Sequence, residues 1–171
     1  MEDAWFTAKY KKVRGMKKKE LKSRMFEECI NKHQAVVNDF SKRIWELGQD
    51  TADRGADQNS LSKTAFGEQV MSELNSINKQ LQFANDEIDL LYKMQNQNGH
   101  LSEHEQAELG AAVATDRGTF FVSASIEQFS VNGQVFVGLS INSPLFQAMK
   151  GRKTGDEFVF NGTTYHIKDI F

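Results

Sequence analysis

From Phe26 onward, core-type positions recur at Phe26, Ile30, His33, Val37, Phe40, Ile44, Leu47 and Thr51, with spacings that alternate between four and three. A seven-residue repeat of this kind buries a narrow seam against a second helix. A matching series follows at Phe66, Val70, Leu74, Ile77, Leu81, Ala84, Ile88 and Leu91. Paired from opposite ends, the position numbers total 117 or 118 in all eight layers. The two series are therefore in register as an antiparallel pair that folds back near residue 59. The spacing predicts an intramolecular helical hairpin over 16–98, and its matched stretch would form a rod of about 38 Å. Outside the seam the hairpin carries Lys, Glu, Asn and Gln, which suits projection into solvent or into a cavity of a partner. His33 faces Ala84, a large residue opposite a small one, and reads as a packed or edge histidine.

Between the two series, residues 48–62 hold glycines, carboxylates and capping residues but almost no large apolar group. This stretch is the expected tip, with helix 1 ending near Gly55 and Asn59 or Ser60 capping helix 2. Asp50, Asp53 and Asp57 are spaced three and four apart, so a helical continuation puts them on one face. They read either as a solvated helix end, with Asp57 near the positive N-terminus of helix 2, or as oxygen ligands for a hard divalent cation.

The net charge of −2 conceals a division: residues 1–25 carry +6, residues 26–111 carry −8, and residues 112–171 balance. We read 1–15 as a solvated basic tail whose partner would be an acidic surface. Cys29 is the only cysteine, which excludes an internal disulfide and a cysteine zinc site and fits a reducing compartment. No apolar stretch approaches the roughly 18 residues of a membrane span, and no signal peptide is evident, so a cytoplasmic protein without a membrane partner is expected.

Asn98-Gly99 should end helix 2, leaving 99–111 as a connector. His100-Leu101-Ser102-Glu103-His104 matches the H-x-x-E-H pattern of a zinc peptidase class. Ser102, however, reads as the cap of a new short helix reaching Leu109, which would separate the imidazoles and leave two surface histidines.

Beyond residue 112 the texture changes to short strands and turns, and eight of the thirteen phenylalanines lie there, enough for a compact core. Thr119–Ile126 and Gln134–Ile141 read as strands joined near Asn132-Gly133. Phe158–Phe160 and Thr163–Ile170 read as a hairpin on the Asn161-Gly162 turn. Ser143 caps a short helix with Pro144 at its first position, and Gly151 stops it. The expected class is α+β: an antiparallel coiled-coil hairpin followed, over 112–171, by a small antiparallel sheet with one helix, able to fold alone from about Gly110.

The stretch from Ser140 to Asp156, with Ser143-Pro144, the Ala148 helix, Lys150-Gly151-Arg152-Lys153 and Gly155-Asp156, resembles the C-terminal signature of the bacterial Gre family of transcript-cleavage factors. Tyr165–Ile170 is similar to that family's last strand. An N-terminal helical hairpin before an FKBP-like C-terminal domain extends the resemblance over most of the chain. The resemblance implies an elongation factor that is not itself an enzyme, and the seam already satisfied within one chain leads to the expectation of a monomer. It would bind bacterial RNA polymerase at the secondary channel and meet RNA and DNA only within the elongation complex. Ser143, Pro144, Lys150, Arg152 and Lys153 would contribute to binding. Asp50, Asp53 and Asp57 would share a magnesium ion with the polymerase, with no cofactor held stably by the chain, so that backtracked RNA is cut in the polymerase's own active site. The family's tip string Gly-Asp-Leu-x-Glu-Asn is not present; Gly55-Ala56-Asp57-Gln58-Asn59 keeps a glycine, one acid and an asparagine. A Gre-fold regulator that occupies the channel without cleavage fits the same residues. So does an FKBP-like prolyl isomerase or chaperone with a coiled-coil arm, its phenylalanines lining an apolar pocket.

Overall fold

The computed structural model describes residues 18–54, 60–96 and 103–171; the side chains of 50–54 and 60–65 lie outside the description, as does the basic tail. Among the described residues two helices of equal length come first, α1 (Lys18–Arg54) and α2 (Ser60–Asn96), each 37 residues. There follow β1 (Ala112–Thr115), β2 (Gly118–Ser123), β3 (Ile126–Val131), β4 (Gln134–Ser140), α3 (Pro144–Met149), β5 (Glu157–Phe160) and β6 (Thr163–Ile170). The class is α+β. Among the described residues no helix is long and apolar enough to cross a membrane.

The chain divides into two compact units, one of residues 32–89 and the other of residues up to Asn31 together with 90–171. The division falls inside the helices rather than at the connector. In the unit of 32–89, every residue of α1 between 34 and 49 is exposed except Val37, Phe40, Ile44 and Leu47. On α2 between 67 and 86 the same holds for all but Val70, Leu74, Ile77, Leu81 and Ala84. These are the seam positions. A cross-pair at 3.5 Å between Arg43 and Glu73, whose numbers total 116, agrees with the antiparallel register.

In the other unit the beginning of α1 buries a wider face. Leu21, Met25, Phe26 and Cys29 join Leu91 and Met94 of α2 in one core with Ala112, Phe121, Phe129, Phe136 and Phe171. Phe26 meets Phe121 edge to face at a centroid distance of 5.0 Å. The opposite sheet face holds a second core of Val113, Val122, Leu139, Phe146, Met149, Phe158 and Ile167. With helices on both faces, β1 and β2 are buried along nearly their whole length, and their sequences show no alternation.

The sheet order is β3-β4-β2-β1-β6-β5. Its pairs are antiparallel except β2 with β4, which run parallel with Phe121 level with Gly138. The all-antiparallel expectation is corrected at this one pair, and the reason is β3. That strand occupies Ile126–Val131, where the sequence reading placed only a connection, and it takes the edge position beside β4. Both two-residue turns, Asn132-Gly133 and Asn161-Gly162, have positive φ at both residues, as a type I′ hairpin requires.

The connector also differs from expectation. Residues 103–109 form no helix; Gln106 bridges Lys153 as an isolated antiparallel pair, and Ala107 exchanges backbone hydrogen bonds with Gly151 and Arg152. Those bonds satisfy both backbone groups of Ala107 against the 150–153 turn, in place of a local helical ladder.

Candidate functional site

The signature stretch forms a braced turn. Ser143 Oγ accepts from Phe146 N at 3.1 Å, capping α3, with Pro144 at its start. Phe146 and Met149 point into the core, which fixes the short helix to the sheet. The chain then reverses at Gly151, whose φ of 72° a side-chain-bearing residue adopts only with strain. Gly151 N donates to Ala107 O at 2.9 Å, and Ala107 N donates to Arg152 O at 2.8 Å. Lys153 N donates to Asp156 Oδ2 at 2.8 Å, and Gly155 N to Ile167 O at 2.9 Å. The backbone from 150 to 156 is thus tied to the connector on one side and to β6 on the other. Lys150, Arg152 and Lys153 stand on it with exposed side chains and no ionic partner among the described residues.

Of the residues singled out from sequence, the structure brings Ser143, Pro144, Lys150, Arg152 and Lys153 into this one turn. Ser143 and Pro144 have structural tasks there, as cap and first helical residue. Asp50 and Asp53 lie on the helical backbone of α1, three residues apart, with their side chains outside the description; Asp57 lies outside the described residues altogether. Among the described residues no group of three or more metal-ligating side chains gathers. The phenylalanines expected as possible pocket lining, Phe120, Phe121, Phe129, Phe136, Phe146 and Phe158, are packed in the two cores.

Two buried polar clusters went unseen in the sequence. The first surrounds Lys22, only 2% exposed. Burial pushes its ammonium down to about 8, and the charge of Glu108 opposes that shift. Glu108 is itself held below the usual carboxylate range, first by a hydrogen bond from Gln106 Nε2 at 3.0 Å and then by His104 Nδ1 at 2.7 Å. His104 is therefore no surface histidine: its side chain is 10% exposed, and its Nε2 is buried without a hydrogen bond beside Gly110. His100, the other half of the zinc-like motif, lies outside the described residues. The sequence signal for Lys22 is masked by a run of cations, Lys17-Lys18-Lys19 and Arg24, that all look alike.

The second cluster sits in the helical seam. His33 Nε2 lies 3.2 Å from Glu87 Oε2, with both side chains more than nine-tenths buried, though the contact is not aligned as a hydrogen bond. Burial pushes the His33 imidazole below its ordinary value, which favours the neutral ring. Glu87 precedes the seam residue Ile88, and a hydrophobic count skips it. Compared by sequence and by structure, the chain matches no protein family model, no curated protein and no solved structure.

Proposed function

We propose that this chain is a Gre-like transcription elongation factor that binds bacterial RNA polymerase at its secondary channel. The observation that carries the reading is the braced turn: three cations, Lys150, Arg152 and Lys153, displayed from a backbone that hydrogen bonds hold at both ends. A fixed backbone loses little entropy when its charges meet an acidic surface, and complementary charge speeds and orients docking. The antiparallel helix pair that precedes the sheet supports the same reading, since it supplies a rod able to enter a cavity. In this reading Asp50, Asp53 and Asp57 add carboxylate oxygens to a magnesium ion that belongs to the polymerase, and the chain holds no complete active site of its own.

Capture of core RNA polymerase by the full chain tests the proposal. The wild-type chain should bind in a salt-dependent manner, and reversal of Lys150, Arg152 and Lys153 to Glu together should weaken binding by tenfold or more. Failure of the wild-type chain to bind overturns the reading. A second measurement separates its two forms. RNA shortening in stalled elongation complexes should exceed the no-factor control and fall when Asp53 and Asp57 become Asn. Binding without any such excess favours a regulator that occupies the channel, a form to which the divergent tip string Gly55-Ala56-Asp57-Gln58-Asn59 also points.

A further inference from the structure

The two flanks of the helical pair differ in charge. With Ile44 and Leu47 as seam positions, residues 34, 38, 41, 45 and 48 of α1 and 71, 75, 78, 82 and 85 of α2 fall along one flank. All are exposed and none is charged. Six are amides, Gln34, Asn38, Asn75, Asn78, Gln82 and Asn85. The opposite flank over the same length carries Asp39, Arg43, Glu46 and Glu73, with Arg43 and Glu73 paired across the seam. Exposed mid-helix positions ordinarily hold Lys or Glu, which form helices better than Asn and keep the surface solvated. One flank forgoes both benefits along its whole length.

At the centre of that neutral flank stand Trp45, 65% exposed, and Met71, 59% exposed. Their numbers total 116, which places them at the same level of the antiparallel pair. Tryptophan and methionine are residues that anchor protein interfaces, while charged residues are depleted from interface cores.

We propose that this amide-rich flank, centred on Trp45 and Met71, is the side of the hairpin that seats against a protein surface of neutral polar and apolar side chains. On the polymerase reading above, on which this proposal rests, that surface belongs to the polymerase rather than to its nucleic acid. The charge pattern selects the occupant. A nucleic acid would find no cation on this flank to replace its counterions. A charged protein surface would be desolvated here without an opposite charge to meet it. Partner amides, by contrast, can exchange their hydrogen bonds to water for bonds to the Gln and Asn side chains, and apolar groups gain by leaving water. A second copy of this chain is too small an occupant. From Gln34 to Gly48 the flank runs about 21 Å, on the order of 300 Å2 a side, against the roughly 800 Å2 per partner of a stable dimer. It serves as one part of a larger interface.

Affinities of the full chain for core RNA polymerase test this, with helical circular dichroism as the control for folding. Trp45→Ala should bind at least tenfold more weakly, with a loss that does not diminish at high salt. Asn78→Asp, nearly isosteric but charged, should also lose tenfold. Phe83→Ala should stay within twofold of wild type, since Phe83 is as exposed as Met71 but lies on the charged side. If the wild-type chain binds and both Trp45→Ala and Asn78→Asp stay within twofold, the flank assignment alone is overturned. It is equally overturned if Phe83→Ala loses as much as Trp45→Ala, or if sedimentation shows a dimer that Trp45→Ala dissolves. A wild-type chain that does not bind polymerase overturns the functional reading and this proposal with it.

Discussion

Among the described glycines, Gly138 has the least room. A Cβ built there would lie 2.8 Å from the Ala124 carbonyl oxygen and 2.9 Å from Ile126 Cβ, because the 124–126 segment, where the chain passes from β2 into β3, lies close against it. The contact is with backbone, so it yields only if the strands shift. Gly138→Ala should cost about 1–3 kcal/mol in urea unfolding, the scale of an overpacked core. Lys22 makes the opposite demand, room for a charge. Its folded value of about 8 lies below the unfolded 10.5, so between those pH values the unfolded chain binds more protons and stability should rise with pH. The rise is at most about 3 kcal/mol. Urea midpoints followed from pH 7.5 to 10.5 should climb in the wild type and stay flatter in Lys22→Met. Neither residue was legible in advance. A glycine's crowding depends on strand neighbours distant in sequence, and a buried lysine in a basic run is written with the same letter as its solvated neighbours. Ser143, Pro144 and the two Asn-Gly turns were legible, because their conformations follow from local chemistry alone.

The helical pair is the element the sequence describes best, since a seven-residue period survives in the letters and pairing within one chain adds an arithmetic check. Burial grades the seam more finely than the period does. Ile77 is 2% exposed whereas Leu81 is only half-buried. Ile77→Ala should therefore cost about 2–4 kcal/mol and Leu81→Ala about half that, compared by denaturant unfolding. Equal losses would mean that the seam is as closed at Leu81 as at Ile77. Among the strands, β5 and β6 were read correctly from their Asn-Gly turn and apolar letters. β1 was missed because a strand covered on both faces need not alternate, and Ala-Val-Ala-Thr contains little that distinguishes it from a connector. The helix expected after Ser102 failed for a reason outside itself: its backbone groups find partners at Gly151 and Arg152, more than forty residues away.

For the whole molecule, the sequence places a boundary at the connector, and the structure places its divisions within the two helices, near residues 31 and 90. The sheet face of Phe121, Phe129 and Phe136 is covered by Leu21, Met25, Phe26, Leu91 and Met94. A fragment of 103–171 would expose that face. It should bind an apolar dye and unfold without a sharp transition, whereas 18–171 should unfold cooperatively. A cooperative transition in the fragment would show that the sheet is sufficient by itself, as the sequence reading expected.

The pairing of Lys18 with Asp169, at 2.9 Å, joins residues 151 positions apart. Around it the first turns of α1, the strand β1 and Phe171 share one core, with Ala112 and Phe171 exchanging backbone hydrogen bonds. Such a core cannot be completed until the last strand has been synthesised. The turns of α1 that carry Leu21, Met25 and Phe26 are made early, yet their cover is assembled in stages, from Leu91 and Met94, then Phe121, Phe129 and Phe136, and last Phe171. Residues 32–89, by contrast, close on each other as soon as α2 exists. Contacts across long separations are slow to close because the loop entropy is lost before the contact is gained. Until that cover is complete the early turns of α1 leave apolar surface open, the condition under which partly folded chains associate.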